Sequence, residues 1–323
     1  MKGSRVVVPA VIAVLASAVL ASPAQAARRI TEFPIPSPST GPEGITTGPD
    51  GNIWFTEWSG NRIGRMTLDG AVTEWDVPTS MSYPHTIVSG PDGNLWFTEQ
   101  YGNRIGKITP QGTITEYLLP QWTSYLYGIT VGPDGNLWFA ADNKLVSIST
   151  NGAFTAFVIS GSADPLGVTT GPDGNLWFTE PGLDRIGKMT TSGVVTEYSL
   201  PQTFSWPLGI VTGPDGNLWF TEFTRDRIGR ITTTGTVTEY RVPTTGSNSA
   251  WIAVGSDRNL WFTEQTGNNV ARITTGGVVT EYPVPTRGSG PNGIAPGPDG
   301  RLWFDELFGN QIGALRPSAR LAD

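Results

Sequence analysis

The chain contains no cysteine. Disulfides, thiolate metal sites and cysteine nucleophiles are therefore excluded. It contains one histidine, His85, so a centre built from several imidazoles is excluded too. Charged residues are scarce at 15%, and acids outnumber bases 28 to 21. Such a balance gives no electrostatic case for binding nucleic acid or anionic lipid. Only one long apolar run is present, at residues 6–20. It follows Lys2 and Arg5 and precedes Ala24-Gln25-Ala26, the pattern of a secretory signal over residues 1–26. The run is shorter than the ~20 residues a membrane-spanning helix needs, and no later segment replaces it. The expected mature protein is therefore a secreted single domain of residues 27–323, with no membrane span. Removing Lys2 and Arg5 takes its net charge from −7 to −9. No phosphate loop, zinc motif or serine nucleophile elbow is present.

What the chain does have is repetition. The phrase GPDGNLWFTE, or a near copy, occurs seven times, around Trp54, Trp96, Trp138, Trp177, Trp219, Trp261 and Trp303. Their spacings are 42, 42, 39, 42, 42 and 42 residues. Such a period with strand-type content specifies an all-β, seven-bladed β-propeller with one four-stranded blade per repeat. In the second repeat, residues 86–89, 94–98, 104–109 and 113–117 are the expected strands. Gly90-Pro91-Asp92-Gly93 is a tight turn: proline presets φ and Asp-Gly accepts the turn geometry. Leu95-Trp96-Phe97 is apolar on both faces, as a strand sandwiched between two blades should be. The seventh repeat stops without an outer strand. Residues 30–35 match outer strands such as Val195-Thr196-Glu197-Tyr198, so they should complete blade seven and close the ring.

GPDGNLWFTE repeated with NRIGRIT and VTEY segments resembles the streptogramin B (virginiamycin B) lyase family, over the whole mature chain. The resemblance implies a magnesium-dependent elimination that linearises a cyclic depsipeptide antibiotic at its ester. It places the site on the face where the inner strands begin. It further implies a substrate-binding histidine in blade six, a histidine base in blade seven, and two glutamates holding the metal. On this chain those positions are Ala250, Asn292, Gly290 and Glu306. Only Glu306 keeps the family residue. Asparagine cannot take a proton α to a carbonyl.

Seven positions, eleven residues before the tryptophans, should ring the mouth: Glu43, His85, Tyr127, Leu166, Leu208, Ala250 and Asn292. Polar groups at Asn292, Glu43 and His85 then face an apolar wall, as in a binding site. His85 could act as a relocated base oriented by Glu43, or be a hydrogen-bonded loop residue. Tyr127, Trp122, Trp206 and Trp251 are the candidate ligand-binding aromatics, with Tyr83, Tyr125, Phe204, Trp58, Tyr101 and Phe223 nearby. Aromatics at a concave mouth suit macrocycles or sugars. A second ring follows each tryptophan by three residues: Glu57, Glu99, Ala141, Glu180, Glu222, Glu264 and Glu306. Arginines five positions on, Arg62, Arg104, Arg185 and Arg227, suggest cross-strand ion pairs. Glu264 and Glu306 lack such a partner, which makes them the candidate ligands for Mg²⁺. Blade three is shorter by two residues in the turn after its second strand, so a lower rim is expected there.

Three functions remain open: a binding module for a small apolar, macrocyclic or glycan-like ligand or a protein; a lyase with a rearranged site; and an interaction platform without a pocket. The ring is expected to be a monomer.

Overall fold

The computed structural model describes residues 29–120, 125–159, 161 and 164–317. The expected signal segment lies outside these, as does Trp122. The described strands form seven four-stranded antiparallel sheets arranged as propeller blades. Blade two consists of Pro84–Ser89, Leu95–Glu99, Arg104–Ile108 and Ile114–Leu118, running from the axis outward. Its inner strand begins two residues earlier than the sequence pattern suggests. A register shift between Pro84 and Ile87 lets that segment bend while still pairing with Glu99. The closure is as expected. Ile30–Pro34 pairs antiparallel with Gln311–Leu315, the third strand of blade seven, with Ile30 opposite Leu315.

The second strand of each blade is the wedge that fills the space between blades. Leu95 and Phe97 face back, against Trp54 of blade one. Trp96 faces forward, against Leu137 and Phe139 of blade three. The same alternation joins Trp303 of blade seven to Ile53 and Phe55 of blade one. All seven tryptophans are essentially buried.

Each buried indole needs an acceptor, and the turn provides it. The Trp96 Nε1–H donates to Asp92 Oδ1 at 3.0 Å. Six equivalent bonds, from Trp54 at 2.9 Å to Trp303 at 3.3 Å, complete the set. Burial pushes Asp92 up, but the Trp96 and Asn94 donors outweigh it and hold the carboxyl below its usual range. Each indole also packs against a ring of its blade's outermost strand, as Trp96 stacks on Tyr117 at 5.4 Å. Room for this layer comes partly from glycine. A Cβ at Gly106 would lie 2.0 Å from Phe97 Cζ.

The glutamates after the tryptophans do not pair with arginine as expected. Glu57 and Arg62 are opposite in register, yet Arg62 Nε turns outward to Asp76 Oδ1 at 2.7 Å. Arg185 and Arg227 go to Glu197 and Glu239, at 3.1 and 3.0 Å. Arg104 approaches Glu116 at 3.9 Å. The reason is solvation. The strand-two glutamates are fully buried, whereas the guanidinium groups stay about one third exposed by reaching outward.

The buried glutamates meet other acids instead. Glu57 neighbours Glu74, Glu99 neighbours Glu116, and the same holds for Glu180 with Glu197 and Glu222 with Glu239. Glu264 neighbours Glu281, and Glu306 neighbours Glu32. In blade six both oxygens of Glu281 already accept from Thr244, at 2.8 and 3.0 Å. Glu264 Oε1 has no donor. Two acceptors in contact require a proton between them, and it belongs on Glu264. Burial first, and the neighbouring carboxylate second, push Glu57 and Glu99 up to about 8 and Glu180 and Glu222 up to about 7. The outer glutamates join blades. Glu116 of blade two holds Thr79, Glu281 holds Thr244 and Glu32 holds Thr286, each on the connection into its own blade.

The seam between blades seven and one carries a further acid. In blade one, Thr56 Oγ1 accepts from Gly44 N at 2.9 Å and donates to His85 O of the next blade at 2.7 Å. Thr179 and Thr221 repeat this, reaching Leu208 O and Ala250 O. Blade seven has Asp305 at this place. Its Oδ1 accepts from Gly293 N at 3.0 Å, and its buried Oδ2 has no donor. Both Oδ2 and Glu43 O, the next blade's carbonyl, lie against Gly293. A protonated Asp305 reproduces the threonine hydroxyl. Burial drives its pKa well above the usual range, in keeping with this role.

Three outcomes follow for stability. Asp92→Ala strands the buried Trp96 N–H and should cost about 1–3 kcal/mol in denaturant unfolding; no loss would show that the indole finds another acceptor. The buried acids keep their protons in the fold but ionise in the unfolded chain above the ordinary carboxylate range. The folded state thus binds more protons, and stability falls as pH rises through about 8, where Glu57, Glu99 and Glu306 titrate. Thermal melting should drop between pH 6 and 9. Asp305→Thr should raise the melting temperature at pH 9 more than at pH 5; an equal effect at both would contradict a proton on Asp305.

Candidate functional site

The mouth is built where the inner strands begin, and the ring order brings blades seven, one, two and three together there. His85 Nε2 lies 3.3 Å from Glu43 Oε1, across the boundary between blades one and two. His85 Nδ1 lies 2.8 Å from Thr86 Oγ1. A carboxylate only accepts, so an Nε2 facing Glu43 carries a hydrogen; Nδ1 accepts from the Thr86 hydroxyl when the ring is neutral and donates to it when the ring is protonated. Both ring nitrogens are thereby engaged, and His85 is only 7% exposed. Asn292 Nδ2 donates to Glu43 O at 3.0 Å, and its Oδ1 accepts from Gln265 Nε2 at 3.4 Å. The Asn292 amide thus braces the backbone that carries Glu43.

A chain of rings runs from this group over blades one to three. Trp58 and Tyr83 are 4.6 Å apart, Tyr83 and Tyr101 5.1 Å, and Tyr101 and Tyr125 5.3 Å. Tyr125 meets Tyr127 at 6.1 Å, and Tyr127 meets His85 at 5.9 Å. The Trp58 Nε1–H is held by Gln100 Oε1 at 2.8 Å. Burial, and then the neighbouring phenols, push Tyr127 up to about 12, so it stays a neutral phenol. Trp206 stands apart on blade five: it is exposed and makes no ring contact among the described residues.

Trp251 does something the sequence reading missed. The residue ten positions before each tryptophan is Gly44, Thr86, Gly128, Gly167, Gly209, Trp251 and Gly293. Glycine suits the axis because a Cβ at Gly44 would lie 2.3 Å from His85 O. Blade six places an indole there. Trp251 lies 6.4 Å from His85 and lines a hollow of about 60 Å³ with Glu43, Thr86 and Gly293. Its ring floors the mouth. The break in the glycine pattern was the available signal.

A larger cleft, of about 490 Å³, opens between blades seven and one. Glu43, Trp58, Ser59, Leu307, Phe308 and Asn310 line it. Phe308, 70% exposed, was also missed; it occupies the place held by Tyr101 in blade two. Phe308 also covers Gly290. That residue has φ of 65°, and a Cβ there would lie 2.5 Å from Phe308 Cδ2. The position where the resemblance requires a metal-holding glutamate is thus closed to any side chain unless Phe308 moves.

The donor set suits a shared proton better than magnesium. Glu264 and Glu306 belong to acid pairs that recur in blades without any candidate site, and among the described residues no three His, Cys, Asp or Glu side chains gather as metal ligands. Magnesium demands near-octahedral oxygen coordination. No helix among the described residues is long and apolar enough to cross a membrane.

Comparison with known proteins agrees with the blade plan. The model of the Virginiamycin B lyase family matches residues 23–164 and 121–323. The virginiamycin B lyase of Bacillus licheniformis is 52% identical over 44 residues, which is 14% of this chain and 15% of that protein. The alignment thus spans a small part of that curated relative. A solved streptogramin B lyase is 38% identical, with a TM-score of 0.85 over 89% of this chain and 97% of its own. A catalytically inactive histidine-to-alanine variant of virginiamycin B lyase from Staphylococcus aureus, solved with quinupristin, is 37% identical, with a TM-score of 0.86 over 90% of this chain and 99% of its own. With the family match running the length of the ring and two solved lyases overlaying it, this chain belongs to the Virginiamycin B lyase family.

Proposed function

We propose that this family member is a secreted binding propeller, and that its mouth holds a compact, partly apolar ligand of the macrocyclic or glycan-like kind without cleaving it. The observation that carries this reading is the unbroken run of rings from Trp58 to Tyr127, ending at the His85–Glu43 pair. Aromatic faces offer large contact area at little entropic cost, and a few convergent polar groups fix orientation. His85 is poorly placed as a base. Its two nitrogens are occupied, and its ring is buried. Proton abstraction needs a free lone pair within reach of the substrate.

The competing reading is a magnesium-dependent carbon–oxygen lyase working through a rearranged site. The family match and the closeness of His85 to Glu43 favour it. Quinupristin separates the two. Incubated with the protein and magnesium, it should be recovered as the intact ring by mass spectrometry, with or without a chelator. In calorimetry it should bind, and Trp58→Ala and Tyr101→Ala should each weaken binding about tenfold, the size expected for losing one ring contact, with unchanged melting temperature. A linear product that disappears in His85→Ala would establish the lyase instead. Binding that ignores both aromatic substitutions would remove the mouth as the site.

A further inference from the structure

Glu43 has an unusual position for a carboxylate. Its side chain is 21% exposed and lines both the 490 Å³ cleft and the hollow over the axis. Among the described residues no arginine or lysine comes within ion-pair distance of it. His85 Nε2 lies 3.3 Å from Oε1, and no donor among the described residues reaches Oε2. The turn aspartates accept indole N–H groups, the outer glutamates accept from serine, threonine or arginine, and burial raises the pKa of the strand-two glutamates. Asp305, close behind Glu43, adds no positive charge.

The walls around Glu43 narrow what could approach it. Trp58 stands on one side of the cleft, and Leu307 and Phe308 on the other. Asn310 is already committed, since its Oδ1 accepts from Thr40 N and Thr40 Oγ1. An anion would meet a like charge and no cation. A divalent metal would find one carboxylate here, with no group of three acids or imidazoles gathered around it among the described residues. An ammonium group fits: it needs one carboxylate for charge, and it is attracted to ring faces. It also brings its own N–H donors to the unfilled Oε2.

We infer that the ligand of this mouth carries a protonated amine, seated on Glu43 between Trp58 and Phe308, next to an apolar body that lies on the rings. This rests on the binding reading above and adds the chemical class of the ligand. The volume leaves room for a ring and a short linker beside the ammonium. Phe308 is 70% exposed without a ligand, and a bound cation would cover its face.

The test uses two probes of nearly equal size, phenethylammonium and the neutral phenethyl alcohol, titrated into the full chain and followed by NMR. Phenethylammonium should bind about tenfold or more tightly than the alcohol, and raised salt should reduce the difference. Glu43→Gln should abolish the preference while leaving the melting temperature unchanged. Phe308→Ala, a change at an exposed ring, should weaken both probes. Equal binding of the two probes, lost together in Phe308→Ala, would overturn the cationic class and leave the binding reading standing. Displacement of the ammonium by millimolar magnesium, absent in Glu43→Gln, would make Glu43 a metal ligand and overturn the inference. No binding of either probe would overturn both readings.

Discussion

The fold depends on one interaction, used seven times: a buried indole whose N–H is held by the aspartate of the turn before it. An indole between two blades supplies a large apolar face, but its N–H would be costly to bury alone. The turn aspartate, within Pro-Asp-Gly in six blades and Ser256-Asp257-Arg258 in blade six, answers this from four residues away, as Asp92 does for Trp96 at 3.0 Å. The turn thereby fixes the rotation of the ring. The ring fixes the wedge, and seven wedges close the circle. Gly106 belongs to the same constraint, because any side chain there would displace Phe97 from the layer.

A second layer of order comes from protons rather than from charges. The buried glutamates sit where a carboxylate would be too costly, so each keeps a proton and meets a partner acid. In blades two, six and seven that partner anchors the connection into its own blade through a threonine, as Glu116 does with Thr79. Asp305 extends this at the seam where the first and last blades meet. It stands in for a threonine and lies against the carbonyl of Glu43. The residue at the centre of the mouth is therefore positioned from behind by Asp305 and Asn292, and from the side by His85.

Much of this was legible in the repeat itself. A fixed period puts equivalent residues of successive blades side by side, which is why Glu43, His85 and Tyr127 could be placed together without coordinates. The closing strand at residues 30–34 was legible for the same reason. Side-chain direction was not. Glu57 and Arg62 are opposite in register, but a third residue, Asp76 on the outer strand, decides where the guanidinium goes. Phe308, and the axial place of Trp251, escaped because attention to the shared phrase hides single departures from it. Trp251 takes an axial place that glycine holds in five blades, and Phe308 takes a turn position that Tyr101 holds in blade two. The protonation of Glu264 and Asp305 has no sequence signature, since it follows from burial and from which neighbouring groups accept.

The central claim is that the mouth is arranged to hold a ligand and not to take a proton from one. His85 is the only histidine in the chain, so its ring nitrogens can be observed alone by ¹⁵N NMR of the imidazole. The account predicts a hydrogen on Nε2, shared with Glu43, and an accepting Nδ1 facing Thr86. A hydrogen on Nδ1 with Nε2 bare toward the mouth is the state a general base requires, and finding it would contradict the account.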